Sequence, residues 1–148
     1  MYQKILLTLD GSALADEAIE HAADIAATSG GHVVLLDVVP EHRGPFPFSI
    51  EAWRHAERDE AEKHLQQVKQ RLAAKVPEVE VIIAEGATPG RTIVDVARRL
   101  GCDAVVMATH GRTGLQRLLH GSVSSYVSQH VASADVLLVR EGVAARTR

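Results

Sequence analysis

Five short apolar runs, separated by longer stretches with helical periodicity, constrain the fold of this chain more than any other feature. The runs are Ile5–Leu9, Val33–Val39, Val79–Ala84, Asp103–Met107 and Val136–Val139. They are rich in Val, Ile and Leu and hold few polar residues, which is typical of strands that are covered on both faces. We therefore predict five buried strands of a parallel sheet.

The segments between these runs carry apolar residues at helical spacing. Four helices are predicted. The first begins after Ser12, its N-cap, and ends at Gly30–Gly31, and the second covers Glu51–Lys75. The third runs from Thr88–Pro89 to Gly101, and the fourth covers Ser122–Ala132. Strands that alternate with helices indicate an α/β fold with a doubly wound, five-stranded parallel sheet flanked by helices. In such sheets ligands bind at the carboxyl ends of the strands, where the strand order reverses.

Length and composition narrow the class of protein. The chain has 148 residues, so we expect a domain over residues 1–140 and a polar tail over residues 141–148. Its net charge of -3 does not indicate a general nucleic-acid surface. The single cysteine, Cys102, excludes an internal disulfide and is predicted to be a small core residue.

Two further patterns bear on the location of the protein. No apolar run approaches the roughly 20 residues that span a bilayer. The first residues do not combine a charged segment, a long apolar stretch and a cleavage site, as a signal peptide does. We therefore expect a soluble, cytoplasmic protein with no membrane contact.

The most informative local motif is the segment Ala108–Val123, which reads Ala-Thr-His-Gly-Arg-Thr-Gly-Leu-Gln-Arg-Leu-Leu-His-Gly-Ser-Val. It follows a predicted strand and leads into a predicted helix whose start is formed by Gly121 and Ser122. Glycines allow backbone N–H groups to approach a ligand closely, and a helix N-terminus favours an anion. The segment therefore predicts a phosphate site, although it lacks the Gly-Lys-Ser/Thr ending of a P-loop. Arg112 and Arg117 either neutralise phosphate or are solvated, and the sequence does not decide between these roles.

With this motif and topology the chain resembles the small, single-domain universal stress proteins over nearly its whole length. The family signature is Gly, two residues, Gly, nine residues, Gly, then Ser or Thr. Here the register is Ala108, Gly111, Gly121 and Ser122, with Ala108 in place of the first glycine and Gly114 as an additional one. The resemblance implies a Rossmann-like fold of the adenine nucleotide alpha hydrolase-like type.

The resemblance also implies a ligand and a set of contact residues. The implied ligand is ATP with Mg²⁺, with Asp10 as a possible contact of the metal ion, and Val38 is expected to hold adenine through its backbone. The implied nucleotide-binding residues are Thr8, Leu9, Asp10, Val38, Met107, Ala108, His110, Gly111, Arg112, Gly114, Gly121, Ser122 and Val123. Family members commonly dimerise through the final strand, which implies a homodimer formed by Val136–Val139.

Three functions remain open at this point. The first is a stress-response or regulatory protein that binds ATP and catalyses little or nothing. The second is a slow ATP hydrolase, for which His110 and Asp10 are the candidate groups. The third is a nucleotide-free dimeric module that acts on an unknown protein partner.

Several residues have no assigned role. No pair of the eight histidines has the spacing and nearby acid that a helical zinc site needs. The aromatic loop at residues 44–48, close to Trp53, is a lid, a partner-binding surface or part of the domain's own packing. Asp37 is interpreted as a satisfied polar residue at a strand end.

Overall fold

A computed structural model describes residues 1–11, 15–41, 50–110 and 117–141 of the chain. Strands and helices alternate along these residues in the predicted order. The elements are β1 (Lys4–Thr8), α1 (Asp16–Ser29), β2 (His32–Pro40), α2 (Ile50–Leu72), β3 (Val79–Gly86), α3 (Pro89–Leu100), β4 (Ala104–His110), α4 (Arg117–His130) and β5 (Asp135–Glu141).

The five strands form one parallel sheet in the order β3-β2-β1-β4-β5. The strand order runs outward from β1 to β3 and then returns to the other side of β1 with β4. The reversal therefore lies between β1 and β4, and the carboxyl ends of these two strands flank it. The predicted fold class is confirmed.

The core has two layers, one on each face of the sheet. Helices α1 and α2 cover one face, on which Ala18, Ala22 and Leu65 are fully buried against β1 and β2. Helices α3 and α4 cover the other face, on which Ala97 and Val127 are fully buried. The predicted inward residues of α2, which are Ala61, Leu65, Val68 and Leu72, are all buried. Cys102 is also buried, and burial raises the pKa of its thiol to about 11.

The start of α1 differs from the prediction. Helix α1 begins at Asp16 with Ala15 as its N-cap, so the prediction of Ser12 as the cap is wrong. The carboxylates of Asp16 and Glu17 lie in the first turn, where they interact favourably with the positive end of the helix dipole.

The start of α4 differs as well, because this helix begins at Arg117 rather than Ser122 and ends at His130 rather than Ala132. Gly121 and Ser122 therefore lie within the helix and do not start it. The intervening Leu118 and Leu119 are good helix formers, and a single interior glycine costs only about 1 kcal/mol relative to alanine.

The remaining boundaries shift by a few residues. Strand β4 continues to His110, three residues beyond the predicted end, because β5 pairs with it as far as the register of His110 with Glu141. Helix α2 ends at Leu72 rather than Lys75. Beyond this end the backbone N–H of Val76 donates to the carbonyl of Leu72 at 2.9 Å, and the Val76 side chain is buried in the core.

Candidate functional site

A cavity of about 760 Å³ opens at the carboxyl ends of β1, β2 and β4. Its size falls within the range of about 300–1,000 Å³ that is usual for small-molecule sites. It lies beside the point where the strand order reverses, which is where the topology places a ligand. The cavity extends from α2 on one face of the sheet to α3 and α4 on the other.

Seven of the predicted contact residues line this cavity. They are Thr8, Leu9, Asp10, Val38, Met107, Ala108 and Val123. Leu9 and Met107 are buried, Asp10 is exposed, and the other four residues are partly buried. The structure thus brings together residues from three strand ends and one helix, and their role as nucleotide contacts stays a prediction.

The other predicted contacts lie wholly or partly outside the described residues. Gly111, Arg112 and Gly114 fall between residues 110 and 117, which the structure does not describe. The backbone of His110 belongs to β4, and the backbones of Gly121 and Ser122 belong to α4, but their side chains are not described. The phosphate-binding role of this segment therefore stays a prediction.

The backbone of Val38 faces the cavity with a donor and an acceptor. In a parallel sheet the N–H and C=O groups of alternate residues point to opposite neighbours. The N–H of Leu9 donates to the carbonyl of Leu36 at 2.8 Å, so the backbone N–H and C=O groups of Leu36 point toward β1. The N–H and C=O groups of Val38, two residues further along β2, point to the same side as those of Leu36. No backbone group of the described chain bonds to them on that side. Gly11, with a φ of 80°, turns the chain beyond β1.

Ala108 occupies its position without backbone strain. It lies within β4, paired with Val139, and no described residue other than glycine has a positive φ. Its methyl group therefore does not require the left-handed conformation that would favour glycine. The departure from the family signature at this position is compatible with the strand geometry.

Sequence reasoning missed the cavity wall that α2 supplies. This wall consists of Glu57, Glu60, Ala61, Lys63, His64 and Gln67. The Nδ1 atom of His64 is buried and has no hydrogen-bond partner among the described residues. Helical spacing from Ala61 and Val68, both buried, places His64 on the inward side of the helix, and this spacing was readable in the sequence.

The place of Asp37 in the cavity wall was also not predicted. It is only 7% exposed and lines the cavity, and no hydrogen bond joins its carboxylate to the described part of the chain. Burial raises its pKa to about 6, and the negative charges of Asp10 and Glu57 add to the shift. It is therefore a largely buried carboxyl group whose oxygens are open to the cavity.

The described residues include no group of three or more His, Cys, Asp or Glu side chains that is arranged to hold a metal ion. A divalent ion here would need ligand atoms from outside this set, such as nucleotide phosphates. Within the described residues no helix is long and apolar enough to cross a membrane.

The fold and the cavity define a doubly wound α/β protein with a cavity at its topological switch point. The sequence pattern of the universal stress protein family matches residues 1–140, and the chain belongs to this family.

Individual relatives agree with this assignment. The chain is 33% identical over 144 residues to universal stress protein MJ0531 of Methanocaldococcus jannaschii, covering 95% of this chain and 84% of that protein. The structure is similar to that of universal stress protein UspA from Lactobacillus plantarum, with a TM-score of 0.81 and 28% identity, covering 94% of this chain and 98% of that one. A universal stress protein solved in complex with cAMP shares the fold, with a TM-score of 0.72 and 23% identity, covering 93% and 97% of the two chains.

Proposed function

We propose that this chain binds an adenine nucleotide, ATP with Mg²⁺, in the cavity at the carboxyl ends of β1, β2 and β4. It acts as a stress-response regulator with little or no catalysis, as a homodimer in the cytoplasm. The single observation that carries the proposal is the backbone of Val38, which presents a donor and an acceptor to the cavity. An adenine edge carries the complementary acceptor and donor.

The surrounding residues support a nucleotide. Leu9 and Met107 supply buried apolar surface at the cavity, and Val123 adds a half-buried side chain from α4. Apolar walls with a few fixed polar groups are usual for such sites. The relative that was solved with cAMP supports an adenine nucleotide as the ligand of this fold. The predicted phosphate segment begins at Ala108, which lines this cavity.

We propose that Asp10 takes part in binding the metal ion. It is exposed at the end of β1 and lines the cavity. A carboxylate together with phosphate oxygens is a common way in which proteins hold Mg²⁺. When bound, the ion neutralises phosphate charge beside the carboxylates of the cavity.

A bulky substitution in the cavity tests the site. Val123→Trp fills space that the base would occupy, so the affinity for Mg·ATP should fall at least about tenfold, equivalent to about 1.4 kcal/mol. Ser125→Trp is the matched control, because Ser125 is exposed on the same helix. Isothermal titration calorimetry on nucleotide-stripped protein gives the affinities, and circular dichroism confirms that both variants are folded.

Two results would refute the proposal. The first is that the unsubstituted protein binds no adenine nucleotide at millimolar concentration. The second is that folded Val123→Trp protein binds Mg·ATP as tightly as the Ser125→Trp control, which would place the ligand elsewhere.

A further inference from the structure

The cavity holds a titratable group that the proposed contacts do not use, the carboxyl group of Asp37. Its side chain is on the face of the sheet that α1 and α2 cover, since Val33 and Leu35 pack there and side chains alternate along a strand. The residue is only 7% exposed, and its oxygens are open to the cavity. A ligand that fills the cavity therefore displaces solvent from this carboxyl group.

The charges around Asp37 are mostly negative. The other titratable side chains of the described residues that line the cavity come from β1 and α2, and they are Asp10, Glu57, Glu60, Lys63 and His64. The neighbouring α1 and β3 place the uncharged residues Ala15 and Ile83 beside it. Burial, and then the negative charges of Asp10 and Glu57, raise the pKa of Asp37 to about 6.

A nucleotide in the cavity adds to both of these causes. Its base and ribose replace solvent near the carboxyl oxygens, which disfavours the charged form of the carboxyl group. Its phosphate groups bring further negative charge to this end of the sheet, and the Mg·ATP complex keeps a net negative charge. Both effects favour the protonated carboxyl group, and neither requires a direct contact between Asp37 and the base.

We infer that nucleotide binding in this cavity is coupled to the uptake of one proton from solvent by the carboxyl group of Asp37, so that acidification favours the nucleotide-bound protein. The inference rests on the proposed nucleotide site. Its sign follows from linkage, because a group that binds a proton more tightly in the complex than in the free protein lowers the ligand affinity as the pH rises. The proton returns to solvent when the nucleotide dissociates.

Isothermal titration calorimetry with Mg·ATP measures the coupling. Titrations near pH 6.5, in two buffers that differ in ionisation enthalpy, give the number of protons taken up per nucleotide. The unsubstituted protein should take up about half a proton more than Asp37→Asn protein, as a pKa that rises by about one unit above 6 requires. The nucleotide's own titration is the same with both proteins and cancels in this difference. Glu80→Gln removes one exposed carboxylate from β3 and should leave the uptake unchanged.

The affinities and the carboxyl resonance give two further readouts. Between about pH 5 and about pH 8, the affinity of the unsubstituted protein for Mg·ATP should fall about tenfold relative to that of Asp37→Asn protein. Carbon-13 NMR of the side-chain carboxyl groups follows Asp37 in the unsubstituted protein, so this measurement does not depend on the folding of a variant. The pKa of Asp37 should be higher with bound nucleotide than without it.

Two results would overturn the inference and leave the proposed function intact. The first is equal proton uptake by the unsubstituted and the folded Asp37→Asn proteins. The second is a pKa of Asp37 that bound nucleotide leaves unchanged or lowers. If the unsubstituted protein binds no adenine nucleotide at any pH in this range, the proposed function fails together with the inference.

Discussion

Adjacent residues in β2 show what sequence reasoning reaches at the scale of single residues. The use of the Val38 backbone follows from the family resemblance, and the geometry of the strand end gives it a physical basis. The environment of Asp37 was not predictable, because it depends on α2, which is close in space but distant in sequence. Alternation along the strand indicates which face a side chain is on but not how deeply the face is covered.

Burial of Asp37 predicts a pH-dependent stability. Its raised pKa means that the folded state binds the proton more tightly than the unfolded state, so this contribution to stability is complete below the usual carboxyl pKa of 3.8 and is lost as the pH rises through about 6. The groups that face it are Asp10 and Glu57, with Lys63 and His64 in the same cavity.

Asp37→Asn should remove this dependence. We expect the melting temperature of the variant minus that of the unsubstituted protein to increase as the pH rises from about 4 to about 7. Thermal denaturation of both proteins at several pH values measures this difference. Glu80→Gln controls for the loss of one negative charge. A difference between Asp37→Asn and unsubstituted protein that is constant across this range would contradict an ionised, buried Asp37.

At the scale of elements, the sequence predicted which segments are helices and strands better than where they begin and end. Thr88, Pro89 and Gly101 marked α3 correctly, because proline favours the first helical turn and Gly101 adopts the left-handed conformation at the helix end, with a φ of 66°. The start of α4 was misplaced because Gly121 and Ser122 resemble a cap, whereas the helix begins five residues before Ser122, at Arg117. Local cap patterns do not report whether an upstream segment is also helical.

The prediction of a homodimer rests on strand β5. It pairs only with β4, so its other edge is free within the described sheet, and such edges pair readily with a second chain. Leu137 and Leu138 on this strand are 39% and 42% exposed. Leu138→Asp should therefore convert a dimer into a folded monomer, because it places a charge in the apolar contact.

Size-exclusion chromatography with light scattering measures this change in mass. Glu80→Lys, on the opposite edge strand β3, should leave the dimer intact and shows which edge is used. A monomeric mass for the unsubstituted protein at high micromolar concentration would refute the dimer. Dimeric Leu138→Asp protein would move the interface away from β5.

At the scale of the whole molecule, the order of elements was predictable because all five strands read as apolar runs. Only β1, β2 and β4 are largely buried on both faces, so the prediction of five buried strands is wrong for the edge strands β3 and β5. Right-handed parallel crossovers then left few topologies. The side of the cavity formed by strand ends followed from that topology. The wall formed by α2 did not, since its charged residues read as an exposed helical face until the tertiary contacts place Glu57 and His64 at the cavity.

The most direct test of the central claim, that an adenine nucleotide pairs with the backbone N–H and C=O groups of Val38 at the end of β2, is a titration of ¹⁵N-labelled protein with Mg·ATP followed by NMR. The amide resonance of Val38 should move downfield as its N–H donates to the base, and the amides of Leu9, Met107 and Val123 should shift with the same affinity. The amide of Glu80, at the far end of the sheet, should not move. Saturable binding that leaves the Val38 amide unchanged would contradict the account.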